Sequence, residues 1–129
     1  MARFEARRKS RRSWLSLVPY RAELRDLTTG ASADIATHAL AEQIVDLLNR
    51  AETGTLPPRV ESDALLPRYE DFRDPQDLDR RLVARFDGAY PGRQLARTYD
   101  LELARSIAAL LNRVDPGTRR RVRHGIGWW

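Results

Sequence analysis

Cysteine is absent from the chain, so disulfides, thiolate nucleophiles and cysteine-based zinc sites are excluded. Histidine occurs twice, at His38 on an expected helix and His124 in the basic tail, and neither has a local His/Asp/Glu spacing that specifies zinc or hydrolysis. Lysine occurs once, at Lys9, so nearly all of the 23 basic residues are arginine. Arginine forms planar bidentate contacts with phosphate or carboxylate. A bias spread over the whole chain is equally what a skewed coding composition produces. No window is long and apolar enough to span a bilayer, and the stretch Trp14 to Val18 is cut short by Pro19 before it resembles a secretory signal. A cytoplasmic location is the expectation. Sequences diagnostic of a nucleophile elbow, a phosphate loop, a dinucleotide loop or a zinc-protease helix do not occur. No cofactor, metal or small-molecule substrate is indicated, and the expectation is that the protein is not an enzyme.

What is present is a repeat. Leu40 to Thr55, LAEQIVDLLNRAETGT, aligns without a gap onto Leu103 to Thr118, LARSIAALLNRVDPGT. Shared positions include Leu40/Leu103, Ile44/Ile107, Leu47/Leu110, Leu48/Leu111, Asn49/Asn112, Arg50/Arg113 and Gly54/Gly117. They cover an apolar stripe at helical spacing and the glycine where a helix stops. In this reading, Asn49 and Asn112 end their helices and Arg50 and Arg113 complement the negative helix end. The matched pairs alternatively present an amide and a guanidinium to equivalent partners.

Periodicity predicts further helices. Tyr20, Leu24 and Leu27 share a helical face after Pro19, and a long helix is expected over Ala33 to Glu52. Thr55 to Pro67 carries three prolines and reads as a connector. Asp74-Pro75-Gln76-Asp77 has the form of a helix start, with Leu78, Leu82 and Phe86 repeating every fourth residue behind it. A last helix is expected from Arg93 to Val114. The 129 residues suit a single domain with a modest core. The expected fold is therefore all-α: a compact helical bundle of two related halves. Its predicted parts are a basic arm over 1–13, a helical domain over 14–118 (halves 14–55 and 74–118 around a Pro-rich connector, 56–73) and a basic aromatic tail over 119–129.

Charge is segregated along this plan. Met1 to Arg25 has eight basic and two acidic side chains, Asp26 to Thr118 eleven and sixteen, and Arg119 to Trp129 four and none. Arg7, Arg8, Lys9, Arg11 and Arg12 at one end, and Arg119, Arg120, Arg121 and Arg123 at the other, are the candidates for contact with DNA or RNA phosphates or with an acidic partner. Trp14, Trp128 and Trp129 border them as candidate docking groups, able to stack on bases or fill a recess on another protein. The acidic run from Glu70 to Asp79 lacks the glycine and ligand alternation of a calcium loop, and reads as a solvated helix entrance. These features predict a non-enzymatic helical accessory or structural subunit of a nucleoprotein assembly. The alternative is a protein-assembly adaptor that docks acidic proteins through the same ends without nucleic acid. A protein partner or homo-oligomer is expected in either case, and peripheral membrane contact is a third, weaker reading.

Overall fold

The structure is a computed structural model, and it describes residues 2–9, 20–87 and 92–117. The chain does not form a helical bundle. Among the described residues, six strands and two helices follow one another in the order β1 (Phe4–Arg8), β2 (Ala22–Asp26), β3 (Ser32–Ile35), α1 (His38–Thr53), β4 (Tyr69–Asp74), β5 (Asp77–Arg85), β6 (Arg93–Thr98) and α2 (Leu101–Val114). Each half is thus three strands and a helix. All strand pairings are antiparallel, in the spatial order β1-β2-β3-β6-β5-β4. The two halves meet at the β3·β6 seam in the middle of the sheet, which leaves β1 and β4 as its edges.

The departure from the all-α expectation has a physical cause. Leu78, Leu82 and Phe86 recur every fourth residue, a spacing close to one helical turn of about 3.6 residues and equal to two strand repeats. In β5 the even spacing wins. Asp74-Pro75, expected to open a helix, instead makes the β4·β5 hairpin, with the Asp74 carboxylate accepting from the Gln76 N–H at 2.8 Å. Proline is as well suited to the second position of a tight turn as to the first turn of a helix. Similarly Ala22, Leu24 and Asp26 are buried in alternation with half-exposed Glu23 and Arg25, which is the signature of a strand with one covered face. The expected long helices are shortened at their starts, because Ser32–Ile35 and Arg93–Thr98 are strands.

The helices begin at side-chain caps. Thr37 accepts from the Leu40 N–H at 3.1 Å and Asp100 from the Leu103 N–H at 2.8 Å, satisfying donors that a helix start leaves unpaired. Gly54 takes a left-handed conformation at the end of α1 (φ 68°), and Gly117, its counterpart in the repeat, has φ 64°. Only glycine adopts that geometry without strain.

Both helices pack on one face of the sheet. Ile44, Leu47 and Leu48 of α1 and Leu103, Ile107 and Leu111 of α2 join Leu24, Ile35, Val83 and Ala96 of the strands in a single core. Ile44, Ile107, Ile35 and Val83 are fully buried. Burying side chains of this size contributes about 1.5–3 kcal/mol each.

The repeated Asn49 and Asn112 do something other than end their helices. Asn49 Oδ1 accepts from the Phe4 N–H at 2.9 Å while its Nδ2 donates to the Phe4 carbonyl at 3.1 Å. Asn112 treats Tyr69 in the same way, at 2.9 and 2.8 Å. Each amide therefore bonds the backbone of the first residue of the first strand in its own half. Arg50 and Arg113 diverge: Arg50 pairs with Asp46, whereas Arg113 donates to the Pro57 carbonyl and holds the connector against α2.

Candidate functional site

The helix-side core leaves the opposite face of the sheet unused, and pairing register decides what stands on it. Leu24 and Ala33, paired in β2·β3, face the helices. Their neighbours Glu23, Arg25 and Asp34 therefore face the other way, as do Glu5 and Arg7 in β1 and Arg97 in β6. Across β1·β2, Glu5 stands opposite Arg25 and Arg7 opposite Glu23. Along the strands, Arg7 is 2.9 Å from Glu5 and Arg25 is 3.0 Å from Glu23. Every charge in this square has opposite charges as its neighbours along and across the strands.

The square gives way to a partly buried network at the centre of the sheet. Asp34 lies between Lys9, at 2.6 Å, and Arg97, at 2.7 Å. Burial raises the pKa of its carboxyl, but hydrogen bonds from Lys9 and Arg97 outweigh that and hold it below the usual carboxylate value. The Arg97 guanidinium also lies 4.6 Å from the centre of the Tyr20 ring, in cation–π range. Tyr20 donates to Gln94 at 3.1 Å.

Beyond β6 the same face becomes apolar. Leu82, Val83 and Ala84 are buried in succession, so both faces of β5 are covered there. Leu82 and Ala84 share the helix-free side with Phe72, which pairs with Leu82 across β4·β5. The Phe72 and Phe86 rings are 6.4 Å apart. Tyr20, Leu82, Ala84 and Phe86 are buried without belonging to the helix-side core. A second, smaller apolar cluster thus occupies one half of the helix-free face.

Two buried aspartates elsewhere serve turns. Asp26 accepts two hydrogen bonds from Arg3, at 3.0 and 2.9 Å, and one from the Thr28 N–H at 2.9 Å. The Arg3 contacts dominate in depressing its pKa far below the ordinary value. Asp74 is likewise lowered, first by the Gln76 N–H and then by Arg80, whose guanidinium is 2.6 Å away. Tyr69 is pushed up to about 12 by burial and by donating to Asp115 at 2.6 Å. All three groups are held in the protonation state that their partners require.

Of the candidate residues, Arg7 and Arg8 lie in β1 and Lys9 follows it, so the stretch expected to act as a basic arm contributes an edge strand. Arg7 and Lys9 are engaged by Glu5 and Asp34. Arg11, Arg12, Trp14, Arg119, Arg120, Arg121, Arg123, His124, Trp128 and Trp129 lie outside the described residues. The acidic run from Glu70 to Asp79 is the β4·β5 hairpin rather than a helix entrance. Asp71 pairs with Arg81 at 2.6 Å, and Asp77 accepts from Tyr99 at 2.7 Å. Among the described residues no group of His, Asp and Glu is arranged to hold a metal ion, and no helix is long and apolar enough to cross a membrane.

The helical accessory subunit of a nucleoprotein assembly falls with the all-α fold. That reading, and the adaptor acting through the same ends, required a helical body with free arginines outside it. The body is instead a six-stranded sheet that incorporates β1. No described feature supports contact with DNA or RNA. Sequence reasoning missed Glu5, Glu23, Arg25, Asp34 and Arg97, although the alternation in AELRD was a usable signal for the face of β2. The chain matches no family model, no curated protein and no solved structure.

Proposed function

We propose that the protein is a non-enzymatic subunit that associates with a second copy of itself, face to face, through the helix-free side of β1 and β2. The observation that carries this reading is the charge square of Glu5, Arg7, Arg25 and Glu23. Turn a second copy over about an axis parallel to the strands, and each Glu5 meets an Arg25 while each Arg7 meets a Glu23. Turn it about an in-plane axis across the strands, and Glu5 meets Arg7 while Arg25 meets Glu23. The pattern is self-complementary in both settings, which is what a two-fold interface demands of one patch.

The internal pairs do not prevent this. A carboxylate has about four acceptor sites and a guanidinium five donors, so each group retains capacity for a partner. Arg7 is more than half exposed, at 59%. Exposed ion pairs contribute only about 0.2–1 kcal/mol each, and a four-residue patch buries less than the roughly 1,200 Å² of a standard stable interface. The association is therefore weak, reversible and sensitive to salt. Binding rather than catalysis is supported by the use of the buried carboxylates Asp26 and Asp74 as turn anchors.

Sedimentation equilibrium tests the reading. The wild-type chain dimerises at low ionic strength and becomes monomeric on the order of 0.5 M salt, where the screening length is about 4 Å. Arg7→Glu with Arg25→Glu makes all four positions acidic and abolishes the dimer, while Arg105→Glu on the exposed side of α2 leaves it unchanged. A wild-type chain that stays monomeric at low salt, or a dimer indifferent to the double reversal, rejects it.

A further inference from the structure

The alignment that matches Leu40 with Leu103 also matches Asp34 with Arg97, and these two residues stand directly opposite each other in the β3·β6 seam. The flanking pairs are Ala33 with Thr98 and Ile35 with Ala96. Since Ala33 corresponds to Ala96 and Ile35 to Thr98, exchanging the two halves converts each flanking pair into the other. A pseudo-two-fold axis therefore passes through the Asp34–Arg97 pair. In a seam between two identical units that position would face itself.

We propose that the β3·β6 seam is a charge-coded docking interface between two βββα units, in which Asp34 and Arg97 admit the unlike half and reject a like half from a second copy of the chain. The flanking neighbours differ less than the central pair: Thr98 stands where the other half has Ile35, and its hydroxyl donates to the Ser32 carbonyl across the seam at 2.6 Å. A β3·β3 seam would set Ala33 against Ile35, and a β6·β6 seam would set Ala96 against Thr98, close in size and shape to the pairs observed. The central residue is the seam position at which the two halves carry opposite charge. Like-half pairing would place Asp34 against Asp34 or Arg97 against Arg97, and like charges directly opposed in a sheet are destabilising. Arg97 donates to Asp34 at 2.7 Å with both side chains about three-quarters buried, at 20% and 26% exposure, where screening by solvent is reduced. Specificity of this kind comes from penalising the wrong partner as much as from rewarding the right one. Lys9, from the same half, also pairs with Asp34 at 2.6 Å; it keeps the carboxylate ionised and partly offsets its charge, so the seam alone is read only when Lys9 is removed.

The test uses full-length chains carrying Lys9→Ala, so that position 34 senses only the seam. Asp34→Arg gives a chain with arginine in both seam positions, and Arg97→Asp gives one with aspartate in both. Each single variant is expected to melt lower than its parent, and the double variant Asp34→Arg/Arg97→Asp to recover most of the loss. When the two single variants are unfolded, mixed and refolded together, an exchanged 1:1 heterodimer is expected by native mass spectrometry, with each β3 paired to the other chain's β6. Refolding either variant alone should not produce a comparable dimer. Variants too unstable to fold alone leave the mixed refolding as the readout. Losses that simply add in the double variant, or a mixture with no more 1:1 species than the separate chains, overturn the proposal. The exchanged species requires unfolding to form, whereas the face-to-face dimer forms on mixing folded chains and depends on Arg7 and Arg25, so failure of one does not imply failure of the other.

Discussion

The two halves of the chain share a backbone plan and a helix-side core, yet their opposite faces are made of different material. Register equates Arg7 with Phe72, Glu23 with Leu82 and Arg25 with Ala84. The first half therefore displays paired charges where the second half buries an apolar cluster. On the helix side several core positions are conservative, Leu24 with Val83, Ile44 with Ile107 and Phe4 with Tyr69, whereas buried Ala22 is matched by Arg81. What the packing of helices onto strands requires has been kept in both copies. Elsewhere the copies have separated, and the charged half of the face is the part that the proposed dimer uses.

The largest expected effects probe what the halves have in common. Ile44→Ala and Ile107→Ala each open a cavity in the shared core and should cost about 2–5 kcal/mol, measured by urea unfolding. Similar losses in a single cooperative transition would mean that the halves fold as one unit, whereas two transitions would separate them. Asn49→Ala and Asn112→Ala each remove two hydrogen bonds and leave a backbone N–H and carbonyl of an edge strand without that partner. A loss of about 1–3 kcal/mol is expected from each, and a clear inequality would show that one edge depends on its amide more than the other. The smallest effects sharpen the contrast. Phe72→Ala should cost about 1–2 kcal/mol, in keeping with its partial burial. Its counterpart Arg7→Ala, on the exposed square, should change stability by less than about 0.5 kcal/mol. Equal losses at these two positions would erase the distinction between the two sides of the face.

The sequence made the helix ends legible and concealed the strands. The LLNR repeat falls within the last part of α1 and α2, because an amphipathic stripe ending in glycine or Pro-Gly is a local signal. The strands are four to nine residues long, too short for a period of two to stand out when residues of β5 are buried on both faces. The connector's prolines marked the crossing between halves, where Val60 donates to the Arg113 carbonyl at 2.9 Å. Asn49 and Asn112 were visible as a repeated pair, but their targets, Phe4 and Tyr69, are more than forty residues away. The charge square was invisible for the same reason. Glu5 and Arg25 become neighbours only once β1 and β2 are paired, and net charge counted along the chain cancels the alternation that makes them informative.

The asparagines that bind Phe4 and Tyr69 also bear on how concentrated this protein can become. An open sheet exposes two outer strands, each a template on which further strands can polymerise into fibrils. By occupying the outward backbone groups at one end of both templates, the two amides act as plugs. Their loss would shorten the path from a folded chain to ordered aggregate, so thioflavin-positive growth in the doubly substituted protein would register a second duty of the residue that the repeat preserved.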